Sequence, residues 1–470
     1  MLITARYILP LALSAFACGT DDDGGEPDTE KKEAPSTESE IDKAPLESIE
    51  VEASDRISTV AIVTWEEGLG DDIETSDIEE AYIEFGLDDS FGHRVGVNVE
   101  AEDMRTVLLG MKQGARSYKI RSTVKVDGKA YVSDVIDFET GYSPSDLLLP
   151  EESFRHPSLP VEDGYIITST FTGGGYAFIV DTEGDIVWWY EAMEIGDAGT
   201  SDVAMDWKGE NLYFIPTNPS FSDSAFIRRV SIDGEEAEDI PAGRAHHSID
   251  AVPEGGVVFM EGTDDYCDKV MYLDDDGKIS ELFSWRDVID FPNHCHSNYV
   301  GYDASSDSFY ISARNFDTAA LVSRGGELKW AIGRDAYQTV ETEDFEIGAE
   351  ADIVALHGLH VWDSGQRLLL FNNRLESTSV IYEYELEKGA SEEDIEKGEL
   401  KMVFKEEGLG SKQAGGVQRL PAGNTQVTYS TDSAIVQFSK DGEIVHRLDM
   451  GTPVGYGNWR DSLYGPPPQL

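Results

Sequence analysis

Two kinds of turn alternate from about residue 150 to the C-terminus, and this alternation constrains the fold more than any other feature. One kind is polar, usually acidic, and followed by aromatic or aliphatic residues. It occurs as Asp181-Thr182-Glu183-Gly184, Ile232-Asp233-Gly234, Asp275-Asp276-Gly277, Gly325-Gly326-Glu327, Glu396-Lys397-Gly398 and Lys440-Asp441-Gly442. The other kind precedes strongly apolar runs, at 208–211, 253–255, 305–307, 363–365 and 421–424. The first kind recurs six times, at intervals from 43 residues (Gly234 to Gly277) to 72 (Gly326 to Gly398). The longest interval holds a charged insertion at 389–397. One turn of the second kind sits between successive copies. Two hairpin turns per repeat make four strands, and four-stranded units at this period are propeller blades. The pattern predicts an all-β fold with a six-bladed β-propeller over 150–470. A calcium reading of the Asp-rich turns fails, because none has the EF-hand spacing.

The preceding segment is different. Residues 58–65, 80–86, 106–111, 117–125 and 131–138 read as strands rich in β-branched and aromatic residues, with a hairpin turn at Asp127-Gly128. With Trp65 as a core residue and Tyr118 as a tyrosine corner, 46–145 resembles a small fibronectin type III-like β-sandwich. Leu147-Leu148-Leu149-Pro150 reads as the link to the propeller. Residues 19–45 lack apolar periodicity and read as a disordered acidic tether. Residues 1–18 read as an export signal: Arg6, an apolar run over 7–17, then Ala15-Phe16-Ala17-Cys18, which resembles a lipobox with Cys18 as the lipidated residue. Gly19 is not the Asp that retains lipoproteins at the inner membrane, so the expected location is the outer membrane, on its periplasmic or cell-surface side. No second apolar run reaches the ~20 residues that span a bilayer. The lipid anchor is therefore the expected membrane contact.

The formal charge of −56, from 92 acidic and 36 basic side chains, argues against nucleic acid or an anionic membrane surface as a partner. Beyond Cys18 the cysteines are Cys267 and Cys295. In an oxidising compartment they pair or remain as two thiols, and the spacing leaves both open.

Six of the nine histidines fall in three short stretches. His246 and His247 precede the turn at 253–255, His294 and His296 the turn at 305–307, and His357 and His360 the turn at 363–365. Each stretch opens the innermost strand of a blade, and these strand starts converge on the axial funnel. If the strand from His296 folds back about Ser305, His296 faces Arg314, with Asn298 on the same face. Three imidazoles beside an inward guanidinium suit a tetrahedral oxyanion. Zinc or copper is the competing reading, and an arginine beside a metal opposes it.

These residues carry a resemblance to the bacterial arylsulfate sulfotransferases and the wider arylsulfotransferase family. The matching stretches are 174–190, 245–260, 296–314, 357–373 and 415–428, with a closing segment at Asn458-Trp459-Arg460-Asp461-Ser462-Leu463-Tyr464. The resemblance implies sulfuryl transfer from an aryl sulfate to a phenol, with no nucleotide donor and no cofactor. It makes His357 the transient nucleophile, His296 and Arg314 the sulfuryl-binding pair, and His247 the remaining funnel histidine. His246 and Asn298 become candidate substrate contacts. Three features depart from the family. Ser248 stands where Asp is common, Gly358 follows His357, and neither Cys267 nor Cys295 matches the family's disulfide. The alternatives are a lipid-tethered ligand-binding propeller without chemistry, and a metal-dependent enzyme using the same histidines.

Overall fold

The computed structural model describes residues 48–65, 75–99, 104–171, 175–192, 200–216, 223–264, 267–287, 295–333, 354–373, 378–385, 399–404 and 409–470. Cys18, His294 and the insertion at 389–397 lie outside them. Every sheet is antiparallel, and no described α-helix occurs.

The first sheets form from Ile49–Ala53, Ala61–Trp65 and Arg105–Leu108, and from His93–Gly96, Ile78–Gly86, Ser117–Val126 and Lys129–Val132. They share one core that contains Trp65, Phe85 and Tyr118. The Tyr118 hydroxyl accepts the Lys112 backbone N–H at 2.8 Å, six residues upstream, the bond a tyrosine corner makes. Two expectations change here. Ile49–Ala53 is a strand that the sequence reading omitted. The single strand expected over 131–138 is two, Lys129–Val132 and Ile136–Glu139, which pair with different halves of Ser117–Val126. The break falls at Ser133, whose hydroxyl accepts the Ser122 N–H at 2.9 Å in place of a ladder carbonyl.

Beyond residue 150 the described strands form six sheets in succession. The second is Val203–Met205, Asn211–Phe214, Phe226–Ser231 and Ala237–Pro241. The third is Ala245–Ala251, Val257–Glu261, Lys269–Leu273 and Ile279–Ser284. The fourth is Ser297–Asp303, Ser308–Ala313, Thr318–Ser323 and Leu328–Ile332. The fifth is Leu356–Trp362, Arg367–Asn372, Val380–Glu385 and Glu399–Phe404. Each described turn of the first kind joins the two outer strands, and each of the second kind joins the two inner ones, as the alternation requires.

The first and sixth sheets break the simple pattern. The first has Tyr165–Ser169, Tyr176–Asp181 and Ile186–Glu191, and takes its innermost strand, Asn458–Arg460, from the far end of the chain. The sixth has Gly416–Arg419, Thr425–Tyr429, Ala434–Phe438 and Ile444–Asp449, and gains a fifth, outer strand, Glu151–Arg155. The two ends are thus sewn into neighbouring sheets. The junction is held by mutual bonds between the sixth sheet and the closing strand: Gln418 Nε2 donates to the Trp459 carbonyl (3.1 Å), and Trp459 N–H donates to Gln418 Oε1 (2.7 Å). Elsewhere indole N–H groups latch one sheet to the next, Trp188 to the Ile232 carbonyl and Trp330 to the Gly365 carbonyl.

Residues 43–470 pack as one compact unit. Ile57, Val60, Leu109 and Leu147 are buried in the same apolar cluster as Trp188 and Trp459. Ser54 donates to the Asp233 carbonyl and Thr59 to that of Val187. Leu147 is therefore core, while Leu148 and Leu149 are exposed.

Cys267 and Cys295 form a disulfide between the third and fourth sheets, with both residues fully buried. The 28-residue separation confines the unfolded chain. Cys267→Ser should cost about 3–4 kcal/mol in urea titrations under oxidising conditions. Reductant should bring the wild type to the same midpoint. A variant as stable as the oxidised wild type would disprove this role.

Candidate active site

The inner strands of the third, fourth and fifth sheets are each interrupted by a bulge. Register shifts fall between His246 and Ile249, between Ser297 and Tyr299, and between Leu356 and Leu359. A bulge re-aims the side chains beside it. His247 and His296 adopt left-handed backbone conformations there, φ 58° and 48°. For a non-glycine residue this costs roughly 1–3 kcal/mol, so the surrounding bonds must hold it. The Ser201 hydroxyl donates to the His247 carbonyl, and the Arg314 N–H donates to the His296 carbonyl at 3.0 Å. In the fifth sheet the left-handed residue is Ala355, φ 59°, and His357 follows two residues later. His247 and His357 hold the same ladder position, each the first of two residues that the pairing skips, whereas His296 stands just before its strand.

His247, His296, Arg314 and His357 line one axial cavity of about 290 Å³. The His247 and His296 rings lie 5.3 Å apart, centre to centre. Phe171, Ser201, Lys412 and Tyr456 complete much of the wall. The sequence reading missed these four. Each belongs to a loop or to the closing segment, where no motif marks it. Lys412, an exposed residue, adds a second basic side chain to the lining that contains Arg314. Tyr456 forms part of the floor, and its hydroxyl donates to the Asn298 carbonyl at 3.1 Å.

Two candidate contacts lie elsewhere. Asn298 is fully buried and does not line the cavity; its amide donates to the Leu356 carbonyl in the fifth sheet at 3.1 Å. Simple strand alternation put it beside His296, and the bulge between Ser297 and Tyr299 breaks that alternation. His246 is also buried and sits behind His247, with the two Nδ1 atoms 2.6 Å apart. Ser248 ties three elements together: its hydroxyl donates to Asp202 (2.8 Å) and accepts the Val300 N–H (3.2 Å). An aspartate at 248 would press a second carboxylate against Asp202, which accounts for the serine. His360 belongs to a separate chamber beyond Tyr456, and its Nδ1 accepts the Arg419 N–H.

His357 Nδ1 lies 3.1 Å from the Ala355 carbonyl. A carbonyl only accepts, so Nδ1 carries the hydrogen and Nε2 keeps its lone pair. Burial pushes the ring's pKa down to about 4, aided by the charges of Arg314 and His296. Hydrogen bonding to Ala355 and to the Asn373 side chain offsets only part of this. Burial, then His246, His296, His357 and Arg314, hold His247 well below the usual imidazole range. His357 is therefore neutral at neutral pH, with its lone pair on Nε2.

The depressed folded pKa has a consequence for stability. Below about pH 6.5 the unfolded chain protonates His357 and the folded chain does not, so stability falls as pH drops toward 4. Through this residue the wild type should lose about 1 kcal/mol per pH unit in that window. Denaturation of the wild type and His357→Asn at pH 7, 6 and 5 checks it. Parallel losses in the two would disprove the assignment.

The arrangement defines an all-β propeller with a cationic, imidazole-lined axial cavity. Residues 235–451 match the arylsulfotransferase (ASST) family model. The match supports aryl sulfotransferase activity and small-molecule substrates. No curated protein matches the chain. Similar solved structures include a protein of unknown function from Bacteroides caccae (12% identity, 63% of this chain and 97% of that one, TM-score 0.42). Others are a streptogramin B lyase (14%, 64% and 88%, 0.39) and the Cps50 (Swd1) β-propeller domain of Myceliophteria thermophila (11%, 65% and 91%, 0.39).

Proposed function

We propose that the protein transfers a sulfuryl group from an aryl sulfate to a phenol through a sulfated His357. The observation that carries this reading is a neutral imidazole whose Nδ1 is tied to a carbonyl, in one cavity with Arg314, His296 and His247. In the first step the Nε2 lone pair attacks sulfur. An N–S bond forms, the S–O(aryl) bond breaks, and the phenolate leaves with the electron pair. Arg314 and Lys412 stabilise the negative equatorial oxygens. A proton from His247 or His296 reaches the departing oxygen. In the second step an acceptor phenol returns that proton, its oxygen bonds to sulfur, and His357 regains its lone pair. Aryl donors suit this site because a phenolate is a better leaving group than an alkoxide.

A local positive field also offsets the acidic surface that would repel an anionic donor. Arg314 and Lys412 oppose a divalent metal at the same place. The described Asp181, Glu183 and Asp185 trio already holds an ammonium, the Lys112 Nζ, at 2.9 Å from Asp181 and Asp185.

The test is incubation with p-nitrophenyl sulfate, with and without phenol. Nitrophenolate should appear in proportion to sulfated phenol. Without acceptor, intact-mass analysis should show one added sulfuryl group. Absence of both transfer and adduct would overturn the reading.

A further inference from the structure

We propose that Asp268 and His246 form a proton relay behind His247, so that the proton exchanged with substrate is stored one ring away from the cavity. The inference rests on the function proposed above and deepens it. Its evidence is three groups in a row. Asp268 Oδ1 lies 3.3 Å from His246 Nε2, a close electrostatic contact without hydrogen-bond geometry, with both side chains fully buried. His246 Nδ1 lies 2.6 Å from His247 Nδ1. His247 in turn borders the cavity. Asp268 is fixed by the Ser297 backbone N–H, which donates to its other oxygen.

Two nitrogens at 2.6 Å must share one hydrogen, since two N–H groups would repel and two lone pairs would too. The carboxylate settles which nitrogens carry hydrogen when the row is one proton short. It accepts only, so His246 carries hydrogen on Nε2 and leaves Nδ1 bare. His247 then donates from Nδ1 and has a bare Nε2, the form of a base. With the proton on the row, His246 carries hydrogen on both nitrogens and faces Asp268, while His247 is neutral with hydrogen on Nε2, the form of an acid. The cycle starts from this form: His247 Nε2 protonates the leaving phenolate as the Nδ1 hydrogen passes from His246 to His247. The acceptor phenol then gives its proton to His247 Nε2, and the reverse shift restores the row. Each transfer moves one proton out or in and one along, so the row loses and regains a single proton.

Electrostatics favour this storage. His247 faces His246, His296, His357 and Arg314, and an imidazolium there meets positive neighbours. His246 faces the Asp268 carboxylate, with Glu261 also in its field. A proton stored on His246 faces a carboxylate at 3.3 Å, and one stored on His247 faces only imidazoles and a guanidinium. His246 and Asp268 touch no substrate in this scheme and are positioning residues.

The relay predicts a loss that depends on the leaving group. Asp268→Asn keeps an oxygen for the Ser297 N–H but removes the charge. Turnover should fall about 10-fold with p-nitrophenyl sulfate and about 100-fold or more with phenyl sulfate, whose phenolate needs the proton more. The alkaline limb of kcat/KM should move to lower pH. His246→Gln should behave alike. Equal losses with both donors and an unmoved pH limb would overturn the relay. A second readout needs neither variant folding nor turnover. Nitrogen-15 spectra of histidine-labelled wild type should show His246 with hydrogen on Nε2, and His247 with hydrogen on Nε2 while the row holds its proton and on Nδ1 once alkaline pH removes it. His246 with a bare Nε2 would also overturn it. A wild type inert to every aryl sulfate would end the proposed function instead, and the spectra would still decide the relay.

Discussion

Replacing His357 with Asn should lower sulfuryl transfer by at least ~10³-fold, with little change in KM for the donor. The side-chain amide can still donate to the Ala355 carbonyl, so the bulge and the cavity wall are expected to survive. What disappears is the Nε2 lone pair, and with it the covalent step. A neighbouring imidazole cannot easily stand in. His247 is engaged through Nδ1 with His246, and burial with positive neighbours makes it a weak base. The mutant should also fail to gain mass with donor alone. A variant retaining a tenth of wild-type activity would show that some other group receives the sulfuryl. The measurement is initial nitrophenolate release with a thermal melt as a folding control.

The second large effect concerns closure. Trp459→Ala should destabilise the protein by about 3–5 kcal/mol, the usual cost of deleting a buried large aromatic. Trp459 is 3% exposed and belongs to the cluster containing Trp188, Ile166 and Leu463. Deleting 458–470 should do more. It removes the innermost strand of the first sheet, the amide ladder to Ile167, Ile166 and Tyr165, and buried Arg460, whose guanidinium donates to the Asp206 carbonyl. It also removes Tyr464, whose hydroxyl accepts the Leu109 N–H at 2.6 Å. The truncated chain should be insoluble or lack a cooperative melt. A truncation that melts within a few degrees of the full chain would refute the structural role assigned to this strand.

The hairpins were legible from sequence because turn chemistry is local. A glycine at a positive-φ position, such as Gly184, Gly234 or Gly277, marks where the chain must reverse. The strands between followed from those marks. His296 opposite Arg314 was legible too, since pairing register extends outward from the hairpin. Asn298 was misplaced because a bulge adds one residue without any signature in composition, and residues past it change face. His246 was misplaced because the pairing skips 247–248, which sets His247 and not His246 toward the cavity. Lys412 and Ser201 were missed because each sits in a loop without a motif, and Ser201 meets His247 from 46 residues away. The pairing of Glu151–Arg155 with the sixth sheet is the same kind of long-range fact. The closing segment was noticed as a resemblance, but not as the missing strand of the first sheet.

That first sheet has a further implication for how the molecule comes into being. A chain emerging in order exposes the partnerless flank of Tyr165–Ser169 until nearly three hundred more residues have followed. No intermediate that lacks Asn458–Arg460 can therefore own a finished ring, and a stop before that strand would leave an open, adhesive edge. Biogenesis must shelter that edge, and quality control gains a simple criterion: only a product that contains the strand can hide it.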